Sequence, residues 1–143
     1  MFDLEVRTHI NRAAADIYAF MSEFSNDAKW QADLVRSEKT SEGPIGVGTT
    51  GLYVQKFLGQ EMKNEAVVTI YEPPKRFGAK TTSGPVKFEY IITFVEAGGG
   101  TDLTMNMKAE AGGFFKLAEG LVKKEAEKVL NRDLAKLKQL LES

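Results

Sequence analysis

The stretch FFKLAEGLVKKEAEKVLNRDLAKLKQLL, Phe114 to Leu141, decides the fold. It contains no proline and one glycine, and good helix formers fill nearly every position. Ala118, Leu121, Val122, Ala126, Val129, Leu130, Leu134, Leu137 and Leu141 recur at steps of three and four, which places them on one stripe of an α-helix. At about 1.5 Å per residue the helix spans roughly 40 Å, the width of a small domain. A stripe of that length cannot be buried by the helix itself. It requires a sheet of similar extent, and the preceding sequence supplies one.

Working back from Gly112-Gly113, Leu103, Met105, Met107 and Ala109 alternate with polar residues, the period of a half-buried strand. Gly98-Gly99-Gly100 turns the chain. Val86, Phe88, Tyr90, Ile92 and Phe94 form the most regular alternation of all, and Ser83-Gly84-Pro85 is the turn before it. Lys75 to Thr82 reads as a strand with Phe77, Ala79 and Thr81 inward. Gln60 to Tyr71 reads as a long strand with Met62, Asn64, Ala66, Val68 and Ile70 inward, ended by Glu72-Pro73-Pro74. Gly59-Gln60 is the expected hairpin turn behind a strand from Thr49 to Leu58. In that strand Leu52 and Val54 compete with Tyr53 and Phe57 for the inner face. Lys56 shares parity with Leu52, which favours Tyr53, Gln55 and Phe57 inward. Ala32 to Thr40 is a charge-rich strand suited to an edge.

At the start, Phe2, Leu4, Val6, Thr8 and Ile10 alternate with Asp3, Glu5, Arg7 and His9, an opening strand with its even positions inward. Asn11 is placed to cap a short helix from Ala13 to Met21 whose stripe is Ile17, Phe20 and Met21. Ser25 to Trp30 adds one further turn. Strands joined by turns this short are antiparallel neighbours. The expected architecture is therefore α+β: one curved antiparallel sheet of about seven strands around a long C-terminal helix, with two short helices after the first strand, in a single domain over residues 1–143.

Composition narrows the function. A net charge of −1 supplies no field for nucleic acid or an anionic membrane. The absence of cysteine removes thiolate catalysis, disulfides and cysteine metal sites, and agrees with a cytoplasmic location. The first residues alternate instead of forming a signal peptide, and no apolar run is long enough to insert stably in a membrane. One histidine, His9, with outward parity, reads as a surface residue and cannot build a transition-metal site. No phosphate-binding or nucleophile-elbow motif is present, so neither cofactor nor metal is expected. The chain is expected to be a monomer or homodimer.

Specific stretches go further. "NRAAADIYAFMSEFSNDAKW" resembles the opening of bacterial polyketide cyclase/dehydrase-like proteins. "GPIGVGTTGLYVQKFLG", "VVTIYEPPKRFGAKTTSGP", "YIITFVEAGGGTDLT" and "LNRDLAKLKQLLE" resemble later blocks of the same family. The order of elements is similar to that of the START-like and plant pollen-allergen (SRPBCC) helix-grip superfamily, whose members include lipid carriers, hormone receptors, cyclases and co-chaperone domains. The resemblance implies a cavity between sheet and long helix for a hydrophobic or amphipathic small molecule such as a lipid, polyketide or aromatic metabolite.

Inward parity nominates the residues that would line it: Tyr53, Gln55, Asn64, Phe77, Thr81, Phe88, Tyr90, Met105 and Met107, with Trp30 closing one end and Phe114, Leu117 and Leu121 the other. Neutral donors such as Tyr90 and Asn64 suit a ligand carbonyl or hydroxyl. The same Tyr90 and Thr81 suit a plain core with satisfied hydroxyls, and the Met and Phe rows suit a filled one. Three functions follow: a binding protein for a hydrophobic ligand, a cyclase/dehydrase-type enzyme whose catalytic residues the sequence leaves unnamed, and a protein-interaction domain. The carboxylate–histidine pair that would favour catalysis is missing from the inward positions.

Overall fold

The computed structural model describes residues 2–111 and 119–143. Its elements are β1 (Phe2–Ile10), α1 (Ala14–Ser22), a 3-10 turn (Phe24–Asn26), α2 (Asp27–Trp30), β2 (Leu34–Lys39), β3 (Thr50–Phe57), β4 (Gln60–Glu72), β5 (Arg76–Ser83), β6 (Val86–Ala97), β7 (Gly100–Ala111) and α3 (Glu119–Glu142). The seven strands form one sheet in the order β1-β7-β6-β5-β4-β3-β2. Every neighbouring pair is antiparallel. This is the curved sheet wrapped around a C-terminal helix that the periodicities require. The beginning of the expected helix, with Phe114 and Leu117, lies outside the described residues.

β2 is the edge, half-exposed to exposed along its whole length and carrying Arg36 and Lys39. Charged side chains on an edge discourage pairing with another chain. The opposite edge, β1, is covered by α3. Phe2, Leu4, Val6 and Ile10 enter the core from β1, and Val122, Leu134, Leu137 and Leu141 enter it from α3. Polar bonds fix the far end of the helix. Glu142 Oε2 accepts the Asn11 backbone N–H at 2.8 Å, Arg12 Nη1 donates to the Leu141 carbonyl at 3.0 Å, and the Lys138 ammonium donates to the His9 carbonyl.

α1 packs on β4, β5 and β6. Tyr18, absent from the expected stripe, is 3% exposed. Its ring meets those of Tyr71, Phe77 and Phe94 at centroid distances of 5.7, 6.1 and 5.1 Å, and its hydroxyl donates to the Arg76 carbonyl at 2.9 Å.

Local readings also differ from the structure at Asn11, at the β3–β4 turn and at the end of β4, where a bulge after Val68 puts Tyr71 instead of Ile70 against the core. Asn11 does not cap α1, whose N-cap is Ala13 without a side-chain bond. The Asn11 side-chain oxygen instead lies 3.1 Å from His9 Nε2, and its backbone N–H is engaged by Glu142. The β3–β4 turn is centred on Leu58-Gly59, both with positive φ (51° and 78°), while Gln60 already pairs with Phe57. A two-residue hairpin loop with both central residues left-handed matches the twist of its strands, and the glycine at its second position makes it accessible.

Candidate functional site

Parity along the central strands aims one set of side chains at α3. Between sheet and helix lies a cavity of about 180 Å³. The sheet contributes Tyr53, Gln55 and Phe57 from β3, Met62 from β4, Phe77 from β5, Phe88, Tyr90 and Ile92 from β6, and Met105 and Met107 from β7. α3 contributes Val122, Ala126, Val129, Leu130 and Asp133, while Phe24, Asp27 and Trp30 come from the helical turn after α1. The lining is predominantly apolar. An engineered apolar cavity of about 150 Å³ admits benzene, so the space suits a compact body of one or two rings.

Of the residues nominated by sequence, Trp30, Tyr53, Gln55, Phe77, Phe88, Tyr90, Met105 and Met107 line this cavity. Asn64, Thr81 and Leu121 do not. Asn64 is 1% exposed, and its amide finds no hydrogen-bond partner among the described residues. Thr81 Oγ1 accepts the Phe88 backbone N–H at 3.0 Å. Leu121 is 59% exposed because its neighbour Val122 takes the inward position on the helix. On β3 the parity argument from Lys56 holds for the cavity face. Leu52 and Val54 are also buried, on the other face and outside the main core cluster.

Sequence parity missed the acidic side chains. Asp27 and Asp133, each 4% exposed, both line the cavity. Asp27 Oδ2 accepts the Ser37 hydroxyl at 2.8 Å. Burial pushes its carboxyl up to about 7, against the opposing bond from Ser37 and with a smaller push from Glu23. The Tyr53 and Tyr90 hydroxyls interact with each other and feel the Asp27 charge. Burial first, and that charge further down, hold both phenols well above their ordinary range. Asp133 differs in being compensated. Its Oδ1 accepts Arg132 Nε at 3.1 Å and Nη2 at 3.0 Å, and Arg132 Nη2 also reaches Asp33 at 3.1 Å. Burial still raises the Asp133 carboxyl.

A signal for Asp27 was present in the spacing. Phe24, Asp27 and Trp30 are three apart, so a helical turn that buries both aromatics carries Asp27 to the same side. Asp133 likewise sits between Leu130 and Leu137 at helical spacing.

His9 stands apart from the cavity, its Nδ1 2.7 Å from Asp102 Oδ1 on the neighbouring strand β7. Among the described residues no group of three or more His, Asp or Glu side chains is placed to hold a metal, and no helix is long and apolar enough to cross a membrane.

An antiparallel sheet gripping a long helix around an apolar cavity defines a helix-grip protein of the START-like superfamily. The family model for polyketide cyclase/dehydrase and lipid transport matches residues 1–142, and the chain belongs to that family. No curated protein matches the sequence. Among solved structures, TTHA0849 from Thermus thermophilus is 16% identical with a TM-score of 0.84, over 96% of this chain and 94% of that one. A START superfamily protein from Mycobacterium smegmatis is 17% identical with a TM-score of 0.82, over 98% and 97%. The di-domain ARO/CYC protein BexL from the BE-7585A biosynthetic pathway is 16% identical with a TM-score of 0.80, over 99% of this chain and 50% of that one. At these identities the likeness is one of fold.

Proposed function

We propose that this protein binds a small hydrophobic or amphipathic molecule, of the lipid, polyketide or aromatic-metabolite class, between its sheet and α3. The cavity of about 180 Å³ carries this reading, because its wall is mostly apolar yet has polar groups gathered at Asp27, Tyr53 and Tyr90. Ligand sites combine an apolar wall with a few placed polar groups in this way. The family's description, which joins polyketide cyclases and dehydrases to lipid transport, agrees with such a ligand. Native mass spectrometry of the purified protein tests the reading by detecting a co-purified small molecule. Met105→Trp, which fills the cavity from β7, should abolish that adduct. A folded parent protein that carries no adduct and shows no melting shift with any apolar compound would refute it.

One observation favours a second reading, an enzyme of the cyclase/dehydrase type. A carboxyl held near 7 can donate or accept a proton at neutral pH, and Asp27 has two phenols nearby that could polarise a ligand oxygen. Turnover of a poly-β-ketone substrate, lost in Asp27→Asn with binding retained, would establish it.

A further inference from the structure

The charged side chains that line the cavity, among the described residues, are both carboxylates, and they are not equivalent. Asp133 has the Arg132 guanidinium as counter-ion. Asp27 is as deeply buried and has the Ser37 hydroxyl as its hydrogen-bond partner, with Glu23 adding negative charge nearby and Asp133 on the same cavity wall. Among the described lining residues there is no lysine, arginine or histidine. A buried carboxylate without a cation is costly, and a charged partner brought by a ligand removes much of that cost. The aromatic residues fit the same partner. Phe24 and Tyr53 rings lie 5.9 Å apart at this end of the cavity, with Trp30 and Tyr90 also on its wall. Aromatic faces attract a desolvated cation.

We propose that the ligand is an amine: a compact apolar body of one or two rings carrying a protonated amino group, docked at Asp27 beside Tyr53 and Tyr90. This rests on the reading of the cavity as a ligand site. A carboxylate-headed ligand such as a fatty acid would meet two acidic groups on the described wall, with the Arg132 guanidinium already engaged by Asp133, so the site discriminates against it. An alcohol of the same shape can donate one hydrogen bond to the carboxylate but brings no charge to offset it.

Three probes that differ only in head group test this: phenylbutylamine, phenylbutanol and phenylbutyrate. Calorimetric titrations run at about pH 8, above the Asp27 carboxyl's pKa and below that of an alkylamine. The expected order is amine, then alcohol, then carboxylate, with the amine about tenfold or more tighter than the alcohol. Asp27→Asn keeps an acceptor for Ser37. It should remove most of the amine's advantage over the alcohol. An alcohol or carboxylate that binds the parent protein as tightly as the amine overturns the amine assignment while leaving the cavity a ligand site. So does an amine advantage that survives in Asp27→Asn. If none of the three binds the parent protein, the amine assignment falls, and the cavity reading is then decided by the native mass spectrometry and melting scans described above. The ranking on the parent protein decides the matter even if the variant fails to fold.

Discussion

Gly84 lies flat against the buried amide of Asn64. A Cβ added to Gly84 would stand 2.9 Å from Asn64 Cγ and 3.1 Å from the Lys63 carbonyl oxygen. The glycine also holds φ at 134°, a conformation L side chains rarely adopt. Gly84→Ala should therefore destabilise the protein by about 1–3 kcal/mol. Part of that loss belongs to the Asn64 contact and should disappear in an Asn64→Ala background. Urea titration of the two single variants and the double variant measures the coupling, expected at about 1 kcal/mol. An identical Gly84→Ala loss in both backgrounds would assign the whole effect to backbone strain.

Two leucines of α3 separate the inner face from the outer. Leu134 is 2% exposed and Leu121 is 59% exposed. Leu134→Ala should cost about 2–5 kcal/mol, and Leu121→Ala no more than about 0.5 kcal/mol. Denaturant midpoints of the two variants give the answer directly. Comparable losses would mean that the helix is rotated from the orientation described.

Asp27 makes stability depend on pH with a definite sign. Its carboxyl is raised from 3.8 to about 7 in the fold, so the folded state binds more protons than the unfolded chain between those values. Stability contributed by this group is lost as pH rises through that window, and the loss is complete above about 7. Asp27→Asn removes the effect. The stability of Asp27→Asn minus that of the parent protein should climb from about pH 4 to about pH 7 and then level, the climb being at most roughly 4 kcal/mol. Asp133 is present in both proteins and cancels in the difference. A difference that stays flat with pH would show that the Asp27 carboxyl is not held up by burial.

His9 should be dispensable for the site. It pairs with Asp102 and Asn11 and does not line the cavity, and its side chain is 39% exposed. His9→Ala should leave ligand affinity unchanged and cost less than about 1 kcal/mol. The Lys138 bond to the His9 carbonyl survives the substitution. A loss of binding in calorimetry would link this corner of the sheet to the cavity.

Strand periodicity made most of the architecture readable. Alternation from Val86 to Phe94 and from Phe2 to Ile10 needs no tertiary information, because a sheet with one buried face imposes period two on its sequence. On β3 both faces are covered, so the apolar pattern alone could not choose, and a single charged residue, Lys56, decided the parity of Tyr53 and Gln55. The polar end of the cavity was harder to see. Asp27 lies on a helix of four residues, too short to show a stripe, and Asp133 lies within a stripe otherwise defined by leucines. Asn64 was legible as inward, but its place beneath Gly84 depends on how the β5–β6 turn folds over β4. Single-strand parity carries no information of that kind.

The strand order places β1 beside β7, while β2 through β6 each pair with the next strand in the chain. On the ribosome this sets a schedule. β1 leaves the exit tunnel before the other six strands, with Phe2, Leu4, Val6 and Ile10 uncovered, and its partner β7 is the last of the seven to be made. At about 5–20 residues per second it waits for some seconds while the meander assembles beside it. α3, which covers β1, emerges later still. β1, made before the other strands, is thus enclosed after them. During that interval β1 is the strand open to capture by a chaperone or to exchange into the free β7 edge of a second nascent chain.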